Sequence, residues 1–267
     1  MGRLRVTFLG TGSPQHLDRA NASIAFQFGA DGAAGEQTLL ADVAGGMEIL
    51  RQLRAARITL ESIRHIFVSH QHFDHAAGLP ILLLALSRSG TTPIHVYVPA
   101  DALSPLQSVL SIQAPGVTTR LEGRLRWHAL APGDAVELGA GVTLTATRAV
   151  HPVPALGCVV RAGGVAVGYS GDTAPFEGIG AAYAAVDVLI HEASALEGPG
   201  ADAMHHIGHS TGADAGRAAA EAAARELIVT HFGPQPPDRP QLAAAEARAH
   251  FAGRVRVAED FMVVDLP

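Results

Sequence analysis

Four potential metal ligands crowd into the run His70-Gln71-His72-Phe73-Asp74-His75. The run follows a short β-branched segment, residues 63–68, and precedes an apolar stretch, residues 76–87, that reads as a helix. Side chains two apart on a strand share a face, so His70 and His72 point the same way if extended geometry persists past the strand. Asp74 and His75 then fall in the turn before the helix and reach a second position. Neutral imidazole and carboxylate at this density suit zinc, manganese or iron. The single cysteine, Cys158, rules out a cysteine-rich zinc site. A polar loop with accidental histidines is the bland alternative, and such spacing seldom arises without a ligand role.

A second group lies downstream. His151 follows a strand ending at Val150, Asp172 sits in Tyr169-Ser170-Gly171-Asp172-Thr173, and His231 sits in Val229-Thr230-His231-Phe232. Each marks the place where an apolar strand gives way to a loop, the usual place for a site in an α/β fold. The elements that must position them can be read from periodicity. Residues 4–9 alternate and run into Gly10-Thr11-Gly12-Ser13-Pro14 as a strand and tight loop, and residues 22–28 and 37–41 are strands around a Gly-rich turn. Residues 45–57 are helical, with Met47, Leu50 and Leu53 inward and Arg51, Arg54 and Arg57 on a solvated stripe. Residues 94–98 form a strand, and 101–111 a helix with Asp101 as its cap. From 124 to 169 the pattern is short strands; a strand at 186–190, a helix at 211–225, a strand at 227–230 and a helix at 239–250 follow, and two short strands close the chain. Each half is thus a run of strands followed by strand–helix units. That predicts two packed sheets with helices outside, a layered α/β arrangement in one domain spanning 1–267.

Composition narrows the function. The 267 residues are 48% apolar and 16% charged, which excludes a disordered chain. With one cysteine there is no intrachain disulfide framework. The first residues lack the apolar core of a signal peptide, and the longest apolar stretch, 79–86, is too short to span a bilayer. A cytoplasmic protein without a membrane partner is expected. All 19 basic residues are Arg, yet the net charge is −6, the wrong sign for a charge-driven nucleic-acid binder. Gly10-Thr11-Gly12 lacks the continuation of a dinucleotide fingerprint or P-loop, and His191-Glu192 lacks the second His of a zincin.

The metal-ligand run, followed in order by His151, Asp172 and His231, resembles the metallo-β-lactamase fold superfamily. The opening Thr7-Phe8-Leu9-Gly10-Thr11-Gly12-Ser13-Pro14 resembles its ribonuclease Z-like branch, which also holds arylsulfatase-like and phosphodiesterase enzymes. His191-Glu192-Ala193-Ser194 and Gly208-His209-Ser210-Thr211 resemble the same branch. The resemblance implies a four-layer αββα sandwich with two divalent metal ions, zinc first, with manganese or iron as alternatives. It implies His70, His72 and His151 on one ion, Asp74, His75 and His231 on the other, and Asp172 bridging. Seven N/O ligands are too many for one tetrahedral ion and suit two, which can share a hydroxide nucleophile. The resemblance also makes Asp74, Glu192 and His209 catalytic, the last two as proton-transfer groups. Glu192 could instead orient a ligand, and His209 could be a polar residue before a helix capped by Ser210 or Thr211. Asp42, ending the third strand, either orients a ligand histidine or caps a helix. His191 reads as structural, and His205 and His206 as a solvent loop. Cys158 reads as a small buried residue, and His16, His65, His95, His128 and His250 as structural positions.

Two departures from ribonuclease Z bear on substrate. That enzyme carries a Gly/Pro-rich tRNA-gripping arm between the positions matching His151 and Asp172, where this chain has only 152–171. After His231 stands Phe232-Gly233-Pro234-Gln235-Pro236-Pro237, with no Arg or Tyr. Arg120, Arg124 and Arg126 could form a basic patch or simply solvated strand edges. The expectation is a homodimeric hydrolase of small phosphodiesters. The alternatives are a ribonuclease Z-type tRNA 3′ endonuclease, a hydrolase of aryl sulfates, lactones or thioesters, a non-enzymatic metal-binding sensor, and a diiron redox protein.

Overall fold

The computed structural model describes residues 4–29, 35–90, 93–234 and 236–267. The extreme N-terminus, most of the Gly-rich turn and Gln235 lie outside the described residues. Numbered along the chain, the first sheet takes β1 (Leu4–Gly10), β2 (Ser23–Gly29), β3 (Glu36–Ala41), β4 (Ile63–Phe67), β5 (Ile94–Pro99), β6 (Leu125–Leu130) and the final β14 (Val263–Leu266). The second takes β7 (Ala135–Gly139), β8 (Val142–Arg148), β9 (Leu156–Ala162), β10 (Val165–Tyr169), β11 (Val188–Glu192), β12 (Glu226–Thr230) and β13 (Arg254–Val257). Among the described residues each sheet has seven strands, in the orders 14-1-2-3-4-5-6 and 13-12-11-10-9-8-7. The two halves therefore repeat an architecture: antiparallel pairing gives way to parallel strands, β3 to β6 in one and β10 to β13 in the other.

Alternation along these strands builds the interior. Phe8, Phe26, Phe67 and Tyr97 of the first sheet meet Leu144, Val160, Val167 and Ile190 of the second, all buried. The opposite faces carry the helices. Helix α1 (Glu48–Ala55), the short α2 (Phe73–Ala76) and α3 (Leu79–Ser89) come first, then α4 (Leu103–Gln113) and α5 (Pro115–Arg120). Helices α6 (Ile179–Ala182), α7 (Ala201–His206), α8 (Gly212–Glu221) and α9 (Arg239–His250) complete the set. Ile49, Leu53, Leu82 and Leu83 cover one sheet; Ala215, Ala219, Ala243 and Ala247 cover the other. The alanine-rich pair α8–α9 packs backbone to backbone. A Cβ on Gly212 would lie 2.2 Å from the Ala243 carbonyl oxygen, and one on Gly216 2.5 Å from that of Ala247. The four-layer αββα expectation describes this arrangement.

Details differ from the periodicity reading. The first helix begins at Glu48, after Gly46 at φ +94°, and it buries Ile49 and Leu53 while Met47 is 60% exposed. Asp101 lies inside a single 3₁₀ turn and gives no side-chain cap to α4. Helix α5 had no apolar stripe to announce it; it starts on Pro115, which presets the first-turn φ. The helix expected at 76–87 begins later, at Leu79, and is separated from the short α2 by Gly78, where an added Cβ would lie 1.8 Å from the Val43 carbonyl oxygen. Asp74 and His75 therefore sit in a helical turn, where they are neighbours to different partners. Arg124 reaches the Leu86 and Ser87 carbonyls at 3.4 Å, so it fastens a loop to α3.

His65, His95 and His128 stand in neighbouring strands with Tyr97 as a ladder of near-parallel rings. Burial first, and then the neighbouring His95, hold His65 down at about 4. An imidazole kept neutral by the fold binds fewer protons than the unfolded chain below pH 6.5. Its contribution is thus fully present above 6.5 and is lost as pH falls from there toward 4. The loss is about 3 kcal/mol at most. Replacing His65 by Gln keeps a polar partner for the Tyr97 hydroxyl, and the decline in Tm between pH 6.5 and 4 is expected to become shallower; an unchanged slope would show that other groups drive it.

Candidate metal centre

All seven ligand candidates lie on segments leaving the C-terminal ends of β4, β8, β10 and β12, five of them on loops and Asp74 and His75 in α2. They fall into two groups whose ligand atoms crowd together: His70, His72 and His151 in one, Asp74, His75, Asp172 and His231 in the other. In the first, His72 Nδ1 is 3.1 Å from His70 Nε2 and 3.0 Å from His151 Nε2. In the second, His75 Nε2 is 3.2 Å from His231 Nε2, 3.3 Å from Asp74 Oδ2 and 3.2 Å from Asp172 Oδ2. Asp172 Oδ2 is also 3.9 Å from His70 Nε2, and its Oδ1 is 3.5 Å from His231 Nε2. Asp172 is thus the acid within reach of both groups. Extended strand geometry does not carry on to His72, because β4 ends at Phe67; the loop turns both imidazoles inward instead.

The outer hydrogen bonds fix which ring nitrogen faces the centre. Asp42, fully buried, accepts from Ser69 N–H at 2.7 Å, Ser69 Oγ at 2.8 Å, Tyr169 hydroxyl at 2.7 Å and His75 Nδ1 at 2.8 Å. Ser69 Oγ, its proton on Asp42, accepts from His70 Nδ1 at 3.0 Å. His151 Nδ1 donates to the Gly208 carbonyl at 2.9 Å. Gly208 has φ +85°, and a Cβ there would meet His151 Nδ1 at 2.5 Å, so only glycine lets that carbonyl approach. On the far side, His231 Nδ1 donates to Ser194 Oγ at 2.8 Å, which donates to Glu192 Oε2 at 2.6 Å. Asp42 and His231 themselves hold φ of 60° and 59°, a sparsely populated region for such residues.

With those nitrogens bonded outward, His75 and His231 turn Nε2 toward each other, and His70 and His151 turn Nε2 toward His72 Nδ1, all at 3.0–3.2 Å. Ligand atoms about 3.3–3.4 Å apart are what a tetrahedral ion with Zn–N near 2.0–2.1 Å requires. Asp172 Oδ1 is buried and has no hydrogen-bond partner. Four carboxylates, Asp42, Asp74, Asp172 and Glu192, are buried here, bonded to imidazoles, hydroxyls and backbone amides. Burial opposes charge on His75, yet Asp172, Asp42 and Asp74 raise its pKa well above the usual histidine range. The same field favours a cation. Burial pushes His70 the other way, keeping it neutral and able to ligate. The residues present fit divalent metal.

His209 stands over the centre, its ring 5.3 Å from His151 and 5.8 Å from His231. Its Nδ1 donates to Glu192 Oε1 at 3.1 Å, and Thr173 N–H donates to the same oxygen at 2.7 Å. Burial works against a charge on His209, but the Glu192 carboxylate outweighs it and raises the pKa to about 9. A strap from α7 to α8 carries His209. Thr211 caps α8 by a reciprocal pair with Asp214, and His205 Nε2 meets Asp214 Oδ2 at 2.7 Å. His205 and His206 are therefore helical, in α7, and His205 anchors the strap, which corrects the solvent-loop reading. His191 is buried, with Nδ1 donating to the Glu192 carbonyl. Cys158 is buried between the sheets, and burial pushes its thiol pKa up. Sequence reasoning passed over Ser69, Tyr169 and Ser194 as orienting groups, although Ser69 directly precedes the His70–His75 run, Tyr169 opens the segment that holds Asp172, and Ser194 closes the one that holds Glu192.

A family model described as "Beta-lactamase superfamily domain" matches residues 39–232, which takes in every one of these ligands. The chain belongs to the metallo-β-lactamase superfamily. Within the superfamily it falls in the ribonuclease Z-like branch. It is 28% identical to ribonuclease Z of Methanosarcina acetivorans over 314 aligned positions, covering 99% of this chain and 98% of the relative. It is 31% identical to that of Shouchella clausii, covering 78% and 81%. In structure it resembles the metallo-β-lactamase fold protein YhfI of Bacillus subtilis (TM-score 0.80, 23% identity, 98% and 99% covered). It also resembles the short form of human tRNase Z (TM-score 0.74, 25% identity, 98% and 99% covered). The superfamily assignment makes this chain a metallo-hydrolase. Among the described residues no helix is long and apolar enough to cross a membrane.

The bond from Asp42 to His75 separates its two sequence readings, since Asp42 orients a candidate ligand and caps no helix among the described residues. In metal sites such carboxylate partners typically account for about 10–100-fold in metal affinity. Asp42→Asn is expected to weaken binding of the more loosely held ion by that factor in a chelator competition titration; an unchanged affinity would make the contact purely structural.

Proposed function

We propose that this chain is a binuclear metal-dependent hydrolase that cuts phosphodiester bonds in RNA, in the manner of its ribonuclease Z relatives. The observation that carries the reading is a pair of ligand groups joined by Asp172, with the His209–Glu192 pair fixed over them. His70, His72 and His151 would hold one ion and Asp74, His75 and His231 the other, with zinc as first choice. When bound, two divalent ions supply an ionised water at neutral pH and positive charge against the phosphate oxygens. The chain's own residues do the rest. Asp42, Ser69, Ser194 and the Gly208 carbonyl hold the imidazoles with Nε2 inward. Asp172 spans the two groups. His209, kept protonated by Glu192, presents a proton to the departing alkoxide, while Glu192 also steadies His231 through Ser194. The same reading has the chain work as a cytoplasmic homodimer.

A second reading, hydrolysis of small phosphodiesters, is favoured by one observation. Residues 152–171 hold only β9, β10 and the turn at Gly163-Gly164, with no room for an arm. The match to the Methanosarcina enzyme runs over 314 positions against 267 residues, so at least 47 positions there have no counterpart here. Zinc- and manganese-loaded protein assayed side by side on precursor tRNA with a 3′ trailer and on bis(p-nitrophenyl) phosphate separates the two. Cleavage at the tRNA 3′ end supports the first, and turnover of the small ester alone supports the second. Turnover of neither by metal-loaded protein would remove both and turn attention to aryl sulfates, lactones and thioesters.

A further inference from the structure

Beside His151 a cleft of about 400 Å³ opens along the same rim as the metal centre. It is large enough for a small organic group. Strands β4, β5 and β6 are parallel, so the segments leaving β5 and β6 emerge at the edge from which His70 leaves β4. Those segments and the stretch after β8 form the walls. Pro99, Pro132, Pro152 and Pro154 supply rigid apolar surface, with small alanines between them. His151 is at once a metal-ligand candidate and part of the wall, so the cleft continues directly from the centre. Among the described residues that line it, Asp101 is the one carboxylate and none is an Arg. The nearest basic residue in sequence, Arg148, turns away and stacks its guanidinium on Phe176, 5.2 Å from the ring centroid.

A groove that tracks a polynucleotide needs cations for its successive phosphates. Among its described lining residues this one offers proline and alanine surface, a single carboxylate and no Arg. Resting on the second reading, hydrolysis of small phosphodiesters, we propose that the cleft receives one ester group of the substrate, and that this group is a terminal nucleoside bearing no further phosphate. The base lies against the prolines and the sugar hydroxyls donate to Asp101. The bond that is cut then lies next to a chain end. A second phosphate on that nucleoside would face Asp101 with nothing to neutralise it.

The test uses the metal-loaded protein and three probes: the dinucleoside monophosphate UpU, the same with a 5′-terminal phosphate, and the same with a 3′-terminal phosphate. One of the two added phosphates is expected to lower kcat/KM at least tenfold, and the other to change it little. Ala131 is exposed on the cleft wall. The variant Ala131→Arg is expected to relieve most of the penalty without raising turnover of UpU. Affinities of non-hydrolysable phosphonate analogues, measured by calorimetry, should follow the same order. If UpU is cleaved but neither terminal phosphate matters, or if Ala131→Arg changes all three probes alike, the cleft does not hold a terminal nucleoside and the phosphodiester reading stands. If none of the three is cleaved and bis(p-nitrophenyl) phosphate is also inert, the phosphodiester reading fails and this inference falls with it.

Discussion

Asp172→Asn is expected to leave the fold intact and abolish most of the activity. The side chain is buried, with one oxygen 3.2 Å from His75 Nε2 and 3.9 Å from His70 Nε2, and the other 3.5 Å from His231 Nε2. Asparagine fills the same space but removes the charge that both ligand groups share. It also presents an amide N–H₂ to nitrogens that must keep their lone pairs for metal. Metal-ion charge stabilisation is worth several kcal/mol in such reactions. At about 1.4 kcal/mol per decade, turnover should fall on the order of 10³-fold, with metal content dropping below that of the parent. Both protein preparations should melt alike after chelation, which separates a metal defect from a folding defect. An Asp172→Asn protein with full metal content and turnover within tenfold of the parent would show that Asp172 is not the shared ligand.

His209→Ala should cost about 10²–10⁴-fold in turnover while leaving metal content unchanged. The loss should depend on the leaving group. An alkoxide needs a proton as it departs, whereas p-nitrophenolate does not, so a dinucleotide should suffer far more than bis(p-nitrophenyl) phosphate. If His209 served only to hold the strap in place, the two substrates would lose equally. Glu192→Gln is the companion variant. Glu192 accepts from His209 Nδ1 at 3.1 Å and, through Ser194, supports His231. Its loss should therefore lower both turnover and metal content, a combination that His209→Ala alone should not produce.

The candidate ligands stand out in the sequence because their signal is local. Four of them share six residues, and the others stand singly where apolar strands end, so type and spacing suffice without knowledge of the third dimension. The two-sheet architecture was legible for a similar reason, since strand and helix periods differ. What stayed hidden depends on contacts distant in sequence. Tyr169 meets Asp42 across 127 residues, and the Gly208 carbonyl meets His151 across 57. His205 looked like a loop residue because its partner, Asp214, lies beyond the strap it anchors. Met47 was placed inward because Met, Leu and Leu fit the helical period; the glycines before it delay the helix start and rotate that position out to solvent. The cleft beside His151 is assembled from three separate strand ends, and its prolines give no periodic signal.

A two-ion phosphodiesterase is tested most directly by coupling metal counting to turnover. The protein is stripped with chelator, titrated with zinc and with manganese, and assayed at each step for bound metal and for hydrolysis of bis(p-nitrophenyl) phosphate. Two ions per chain, with activity rising as the second binds, is the expected result. Saturation at one ion or none, or two ions bound without any hydrolysis of a phosphodiester, would contradict it.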